Sequence, residues 1–292
     1  MYYFVLAICY VLSLLPLRVL YLLSDVAYLV LYRVVGYRTG VVEDNLARAL
    51  GELTGAERRR ITRAFYHNLA DMLAETLKLF SISERSLARR FTGDLTLLKE
   101  LEASGRPYQI HLGHYFNWEW ANLYIKSQVT APFLVTYMPL KSSLADRLVR
   151  RLRGRTGSVL VSARDVAREM KPWQHGPHIS VLVADQNPGK ARRAYWFRFL
   201  GRMTPFYKGP ELSARRGDHP VVYGEISKTG RGRYHVKVSL VSDHPAQEPP
   251  GAVTGAFVRM LEAGIRAQPE NWVWSHRRWK RAWDGTGEAP PY

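Results

Sequence analysis

Within QIHLGHYFNWEW, residues 109–120, two histidines, an asparagine and a glutamate stand among large aromatics. His114 and Glu119 form the pair with the clearest chemistry: an imidazole that takes a proton near neutrality, and a carboxylate able to fix its tautomer and raise its basicity. Five residues apart, they would face about 140° away from each other on one continuous helix. A loop that carries His114, followed by a helix starting near Asn117, removes that conflict. Asn117 suits the N-cap, and Glu119 then falls in the first turn, where the helix dipole favours a carboxylate. Two other readings stay open on these residues alone. Histidines beside aromatics are commonly satisfied core groups, and His111, His114 and Glu119 offer the donor types of a zinc site. The chain brings neither paired cysteines nor a second close histidine pair to such a site.

Short apolar runs alternating with helical patterns must position these groups. Beyond Pro107 the strand candidates are YQIHL (108–112), FLVTY (133–137), SVLVS (158–162) and HISVLVAD (178–185). Between them lie the helical segments NWEWANLYI, SSLADRLVRRLR and ARDVAREM. This alternation implies an α/β domain with a central mixed, mainly parallel sheet flanked by helices. PVVYGEIS and RYHVKVSLV flank KTGRG as a hairpin, and a last helix, VTGAFVRMLEAGIRAQ, precedes PENWVWSHRRWK. Residues 40–106 read as helical, with Thr54 and Glu57 at capping-box spacing. Ile61, Phe65, Leu69, Met72, Leu73, Leu77 and Phe80 follow a helical stripe there. In open α/β sheets ligands gather at the carboxyl ends of strands. His114 follows the first strand, Asp185 ends a later one, and Arg153 closes the helix between two others, so three segments can converge on one edge. Taken singly, Arg153 belongs to a basic helix face and Asp185 can cap the turn QNPG.

The 292 residues carry a formal charge of +17 and a single cysteine, Cys9. That length suits one large α/β domain or two small ones, and one cysteine excludes an internal disulfide framework. The charge calls for an anionic partner: nucleic acid, an acidic protein or a phosphate-bearing membrane face. Met1 to Leu17 is uncharged, and apolar character resumes after Arg18. MYYF is not the basic start of a signal peptide, and no cleavage site follows. The run is slightly short of the ~20 residues that span a bilayer. Either one helix spans with Arg18 snorkelling, or two apolar helices lie on the membrane surface, or a helical hairpin is buried in the protein. Arg18, Arg33 and Arg38 follow the apolar run, which places the remainder in the cytoplasm. The expected division is residues 1–36 as a membrane anchor and 37–292 as a cytoplasmic domain, helical over 37–106 and α/β over 107–292.

An ordered series of motifs covers nearly the whole chain: the apolar N-terminal segment, HYFNWE as a His-x4-acid motif, TYMPL before the arginine helix, VADQNPG, FLGRMTPFYKGPE and PENWVWSHRRWK. In this the sequence resembles the late (lauroyl/myristoyl-type) acyltransferases of lipid A biosynthesis, within the lysophospholipid acyltransferase superfamily. The resemblance implies a glycerol-3-phosphate/lysophospholipid acyltransferase-like fold behind a membrane helix. It implies an enzyme at the cytoplasmic face of the inner membrane that moves a fatty acyl chain from a carrier thioester to a hydroxyl of a lipid A precursor. His114 would be the general base and Glu119 the acid that orients it. Arg153, with Arg151 and Arg155 as neighbours in that alignment, matches an arginine that binds substrate or stabilises charge, and Asp185 matches the later aspartate. Met138 stands where an arginine often precedes the proline, which removes one phosphate contact.

The chemistry of the residues agrees. An alcohol attacking a thioester needs a base, and the tetrahedral intermediate needs a fixed cation or N–H donor, such as Arg153 or the amides around Gly113. Cys9 is badly placed as a nucleophile, which favours direct transfer, and no metal or other cofactor is required beyond the acyl thioester, on acyl carrier protein or coenzyme A. Acidic carrier protein, a phosphorylated glycolipid acceptor and an anionic membrane would account for the basic surface. Arg147, Arg150, Arg151, Arg153 and Arg155, with Lys190, Arg192, Arg193, Arg202 and Lys208, are candidates for those contacts, the alternative being a merely solubilising face. His276, Arg277 and Arg278 either bind phosphate or close the fold. A monomer is expected. The nearest rival is an acyltransferase of the same superfamily acting on another membrane glycolipid or aminolipid. A nucleic-acid-binding protein is the distant one; its basic residues would have to surround a stacking platform, and here they are spread along the chain.

Overall fold

Proline punctuates the apolar start of the chain and decides its shape. In the computed structural model, which describes residues 1–189, 194–283, 285 and 288–289, α1 (Tyr2–Leu14) stops before Pro16 and α2 (Leu17–Leu29) starts after it. Pro16 has no N–H to continue a helix and forces the preceding residue into an extended conformation. A π-turn, Val30–Val34, prolongs α2, and the two helices meet at a bend of 113°. Among the described residues no single helix is long and apolar enough to cross a membrane. The single-span expectation is thus replaced by a bent pair. The pair is not buried as a whole: α1 buries Ser13 alone and leaves Tyr3, Phe4, Val11 and Leu14 exposed, while α2 buries Leu17, Leu20, Ser24 and Tyr28 and leaves Leu22 and Val26 exposed.

Two helices, α3 (Thr39–Ala49) and α4 (Gly55–Lys78), follow. Thr54 and Glu57 form the expected capping box, the Thr54 hydroxyl accepting from Glu57 N and Glu57 Oε2 accepting from Thr54 N. The α4 stripe buries Ile61 and Phe65 in the main core, but Leu73 is exposed. Beside the stripe, Asn68, Asp71 and Glu75 recur at helical spacing and are all buried. Ser24 of α2 donates to Asp71 at 2.7 Å and Tyr21 donates to Glu75 at 2.9 Å, so polar contacts lock the apolar hairpin onto the body.

The all-helical reading of 40–106 needs correction. After α5 (Glu84–Ala88), Phe91–Asp94 forms a short strand, β1, before α6 (Thr96–Ala103). Gly93 lets β1 lie close against its neighbour: a Cβ there would fall 2.5 Å from the Val236 carbonyl oxygen. The expected α/β pattern then unfolds in order. It runs β2 (Tyr108–Leu112), α7 (Trp118–Lys126), β3 (Phe133–Tyr137), α8 (Ser143–Arg153), β4 (Val159–Ser162), a single turn α9 (Val166–Glu169) and β5 (Ile179–Val183). A separate antiparallel pair, β6 (Ala194–Phe199) and β7 (Arg202–Tyr207), leads to α10 (Gly209–Gly217). The hairpin β8 (Val221–Gly230) and β9 (Arg233–Ser242) and then α11 (Ala252–Ala267) complete the order. Seven strands form one sheet in the order β1-β9-β8-β2-β5-β3-β4, parallel at every pairing except β8 with β9. Strand β2 is buried along its whole length at the centre.

His111 belongs to that core. Its Nε2 meets the Gln109 side chain at 2.9 Å and its ring stands edge-on to Phe257, so it points to different partners from His114. Burial pushes the His111 imidazole down to about 4. Its folded-state pKa lies below the unfolded value of ~6.5, so the fold favours the neutral ring. That stability is complete above ~6.5 and is lost as pH falls towards about 4. Unfolding free energies from denaturant titrations across this window should therefore drop more steeply for the native chain than for His111→Gln, by at most about 1.4 kcal/mol per pH unit. Equal slopes would show that His111 is not held neutral.

Candidate active site

Register brings the site together. Leu112 of β2 pairs with Val183 of β5 in parallel, so His114 and Asp185, each two residues further on, emerge side by side at the carboxyl edge. The tie continues past the strands, where Ala184 N donates to Leu112 O at 3.1 Å. Gly113 makes the exit tight enough, since a Cβ there would lie 2.5 Å from Leu261 Cδ1 and 2.9 Å from Tyr115 Cε2.

Asp185 is held on both oxygens. Oδ1 bonds the His114 Nδ1, while Oδ2 accepts the His114 backbone N–H at 2.8 Å and the Trp272 indole N–H at 2.7 Å. Burial acts to raise the Asp185 carboxyl, but the His114 imidazole, these hydrogen bonds and Trp272 outweigh it and bring it down to about 2. An ionised carboxylate on Nδ1 keeps the proton on that nitrogen and leaves Nε2 with a lone pair. At Nε2 sits the Gln186 amide, 3.0 Å away.

Asn117 caps α7, its Oδ1 accepting from Glu119 N at 3.0 Å and Trp120 N at 3.1 Å. Glu119 falls in the first turn but does not reach His114. Its carboxylate takes a two-pronged bond from Arg153 of α8, Nε to Oε2 at 3.0 Å and Nη2 to Oε1 at 2.5 Å. The expectation that Glu119 fixes the imidazole is therefore corrected, because Asp185 fills that position. Trp118 links the two halves: its indole N–H donates to Glu119 Oε1 at 3.0 Å and its ring stands edge-on to His114 with centroids 5.3 Å apart. Among the described residues Arg153 Nη1 has no hydrogen-bond partner.

Three positioning groups had not been singled out from the sequence. Glu75 of α4 is fully buried and accepts from Asn117 at 2.9 Å, Tyr234 at 2.7 Å and Tyr21, so it fixes the cap of α7 from behind. Burial pushes its carboxyl up. Its signal was the polar spacing of Asn68, Asp71 and Glu75 along an apolar helix. Trp272 holds Asp185, and Gln186 holds Nε2. The remaining candidates spread out. Lys208 lies over the Tyr195 ring at 4.6 Å and bonds Glu288. Arg202 lies over the Trp279 ring. Arg278 is fully buried and donates to Asn187 Oδ1 at 2.8 Å and Pro205 O at 2.7 Å, which assigns it to closing the fold. Burial brings its guanidinium down to about 9. His276 meets Asn187 at 3.3 Å, while Arg277 is exposed. Lys190, Arg192 and Arg193 lie outside the described residues. Of the zinc reading, His111 is in the core, and no cluster of three or more metal-binding side chains occurs among the described residues.

Fold and site together define an α/β protein with a mainly parallel sheet and a buried carboxylate–imidazole pair at its carboxyl edge. The sequence carries the assignment further: the model of the bacterial lipid A biosynthesis acyltransferase family matches residues 1–281, and the chain belongs to that family. A search of curated proteins found no match.

Proposed function

We propose that the protein transfers a fatty acyl chain from a carrier thioester to a hydroxyl of a phosphorylated lipid A precursor, with His114 as general base. The observation that carries this reading is the Asp185–His114 pair with its Nε2 turned to a displaceable amide. The acceptor hydroxyl takes the place of the Gln186 amide at Nε2. Its oxygen attacks the thioester carbonyl as His114 takes the proton, giving a tetrahedral oxyanion and an imidazolium facing Asp185. Collapse breaks the carbon–sulfur bond, forms the ester and returns the proton to the leaving thiolate. Arg153 Nη1 is the candidate to meet the developing charge, with Glu119 fixing the guanidinium plane. Cys9 lies in α1, so an acyl-enzyme is not invoked. In this reading α1 and α2 lie in the cytoplasmic leaflet of the inner membrane, acyl carrier protein is the donor's carrier, and the enzyme acts as a monomer.

The test is the purified full chain with defined acyl-carrier-protein and acyl-coenzyme A donors and a tetra-acylated lipid A precursor, products read by mass. One added acyl group per acceptor supports the reading; unchanged acceptor with both donors, alongside acylation of a different glycolipid, would transfer the enzyme to the rival class.

Arg153 offers a check on the second half of the site. Its side chain and that of Glu119 are 21% and 12% exposed. Arg153→Ala leaves a largely buried carboxylate without its partner, so a stability loss of about 3 kcal/mol is expected in chemical denaturation. Arg153→Lys should recover less than half of it, because an ammonium cannot copy the two-pronged geometry. Full recovery by lysine would mean that charge alone matters.

A further inference from the structure

A cavity of about 640 Å³ lies between α1 and the end of α8, lined on one side by Tyr3, Leu6 and Tyr10, and on the other by Arg150, Arg151 and Arg155. Its two walls differ in kind. The α1 wall is aromatic and aliphatic and continues into exposed apolar surface at Phe4, Ile8 and Val11. The opposite wall carries three guanidinium groups. Arg155 is tied to the carbonyls of Leu79 and Ile82, and Arg150 donates to the Tyr137 hydroxyl at 2.9 Å. None of the three has a carboxylate partner among the described residues, where the ion pair that α8 makes to another element is Arg153–Glu119. Nearby, Arg147 lies over the Tyr2 ring at 3.8 Å.

None of His114, Glu119, Arg153, Asp185 and Gln186 lines this cavity. Its occupant is therefore not placed at the reacting atoms. An apolar groove that ends in tyrosines and in arginines without carboxylate partners among the described residues has the polarity profile of a membrane interface, where aromatic rings and basic side chains sit at headgroup level. Guanidinium groups pair with phosphate oxygens in two-pronged fashion. We propose that the α1–α8 cleft seats the phosphate headgroup of an anionic bilayer phospholipid, one acyl chain lying along the α1 wall. The inference rests on the reading of α1 and α2 as membrane-facing and adds to it a discrete lipid site. Because α8 also carries Arg153, such a lipid pins the helix that orients Glu119.

The test uses the full chain, without acyl donor, and vesicles of phosphatidylcholine alone or mixed with phosphatidylglycerol. The native chain should prefer the mixed vesicles, and Arg150→Gln with Arg151→Gln should cut that preference roughly tenfold or more while binding to phosphatidylcholine alone stays unchanged. Ala7→Trp, an exposed position that lines the cleft, should cut it similarly with no change of charge. Arg59→Gln with Arg60→Gln, exposed at the other end of α4 roughly 30 Å away along the helix, should leave it intact. Equal losses in that control pair, or a native preference in Ala7→Trp, would reduce the effect to diffuse charge and overturn the site. Short-chain phosphatidylglycerol should bind saturably and resist equal concentrations of inorganic phosphate or of the lipid A precursor. Displacement by the former would make it a free-phosphate site, and by the latter an acceptor subsite; either overturns the assignment. No turnover is measured, so failure here leaves acyl transfer standing, and a failure of acyl transfer leaves this measurement readable.

Discussion

His114→Ala is expected to lower the rate of acyl transfer by about 10²–10⁴-fold, the range for loss of a general base, with no loss of folded protein. The fold should survive because Asp185 keeps the Trp272 indole and the backbone N–H of residue 114 when the imidazole is removed. The base acts in the chemical step, so the loss should fall on turnover at saturating acceptor. Initial rates with thermal melts of the same preparations measure both parts. Rates near those of the native enzyme would exclude His114 as the base.

Asp185→Asn should be about as damaging, by roughly 10³–10⁴-fold, through a reversal of polarity. Two N–H donors converge on Oδ2, from His114 and Trp272. The carboxamide oxygen must fill that position, which turns its NH₂ towards Nδ1. The ring then has to accept at Nδ1 and carry its proton on Nε2, where it cannot remove one from an alcohol. Titrating rate against pH and recording the imidazole nitrogen resonances would separate this from simple unfolding: a folded Asn variant with a protonated Nε2 is the expected state. Glu119→Gln should be milder, since it keeps one acceptor for Arg153 and does not touch the imidazole.

Much of the scaffold was legible because its signals are local. YQIHL and FLVTY became β2 and β3 with the bounds read from their apolar runs, and Thr54 with Glu57 gave the start of α4. Asn117 at the head of an apolar helix gave the position of Glu119. What stayed hidden depends on pairing between distant segments. Strand register sets which carboxylate meets His114, and a single chain read alone carries no register; a spacing of five residues made Glu119 the near choice when Asp185, 71 residues away, was the partner. FTGD is too short and too polar to read as a strand, and β1 exists because β9 offers it an edge. The β6–β7 pair carries Pro205, Thr204 and two arginines among its apolar residues, which hides its strand pattern in the sequence. At the N-terminus hydropathy gave the apolar run correctly, but Pro16 turned one prospective span into two helices.

The most direct measurement is the turnover of the His114→Ala, Asp185→Asn double variant beside each single one, in the mass-resolved transfer assay. If Asp185 acts through the imidazole, its replacement has nothing left to remove once His114 is gone, and the double variant should be no slower than His114→Ala. Glu119→Gln, placed on the same His114→Ala background, should still lower the residual rate through Arg153. A double variant in which the His114 and Asp185 losses multiply would contradict the pairing on which the site is built.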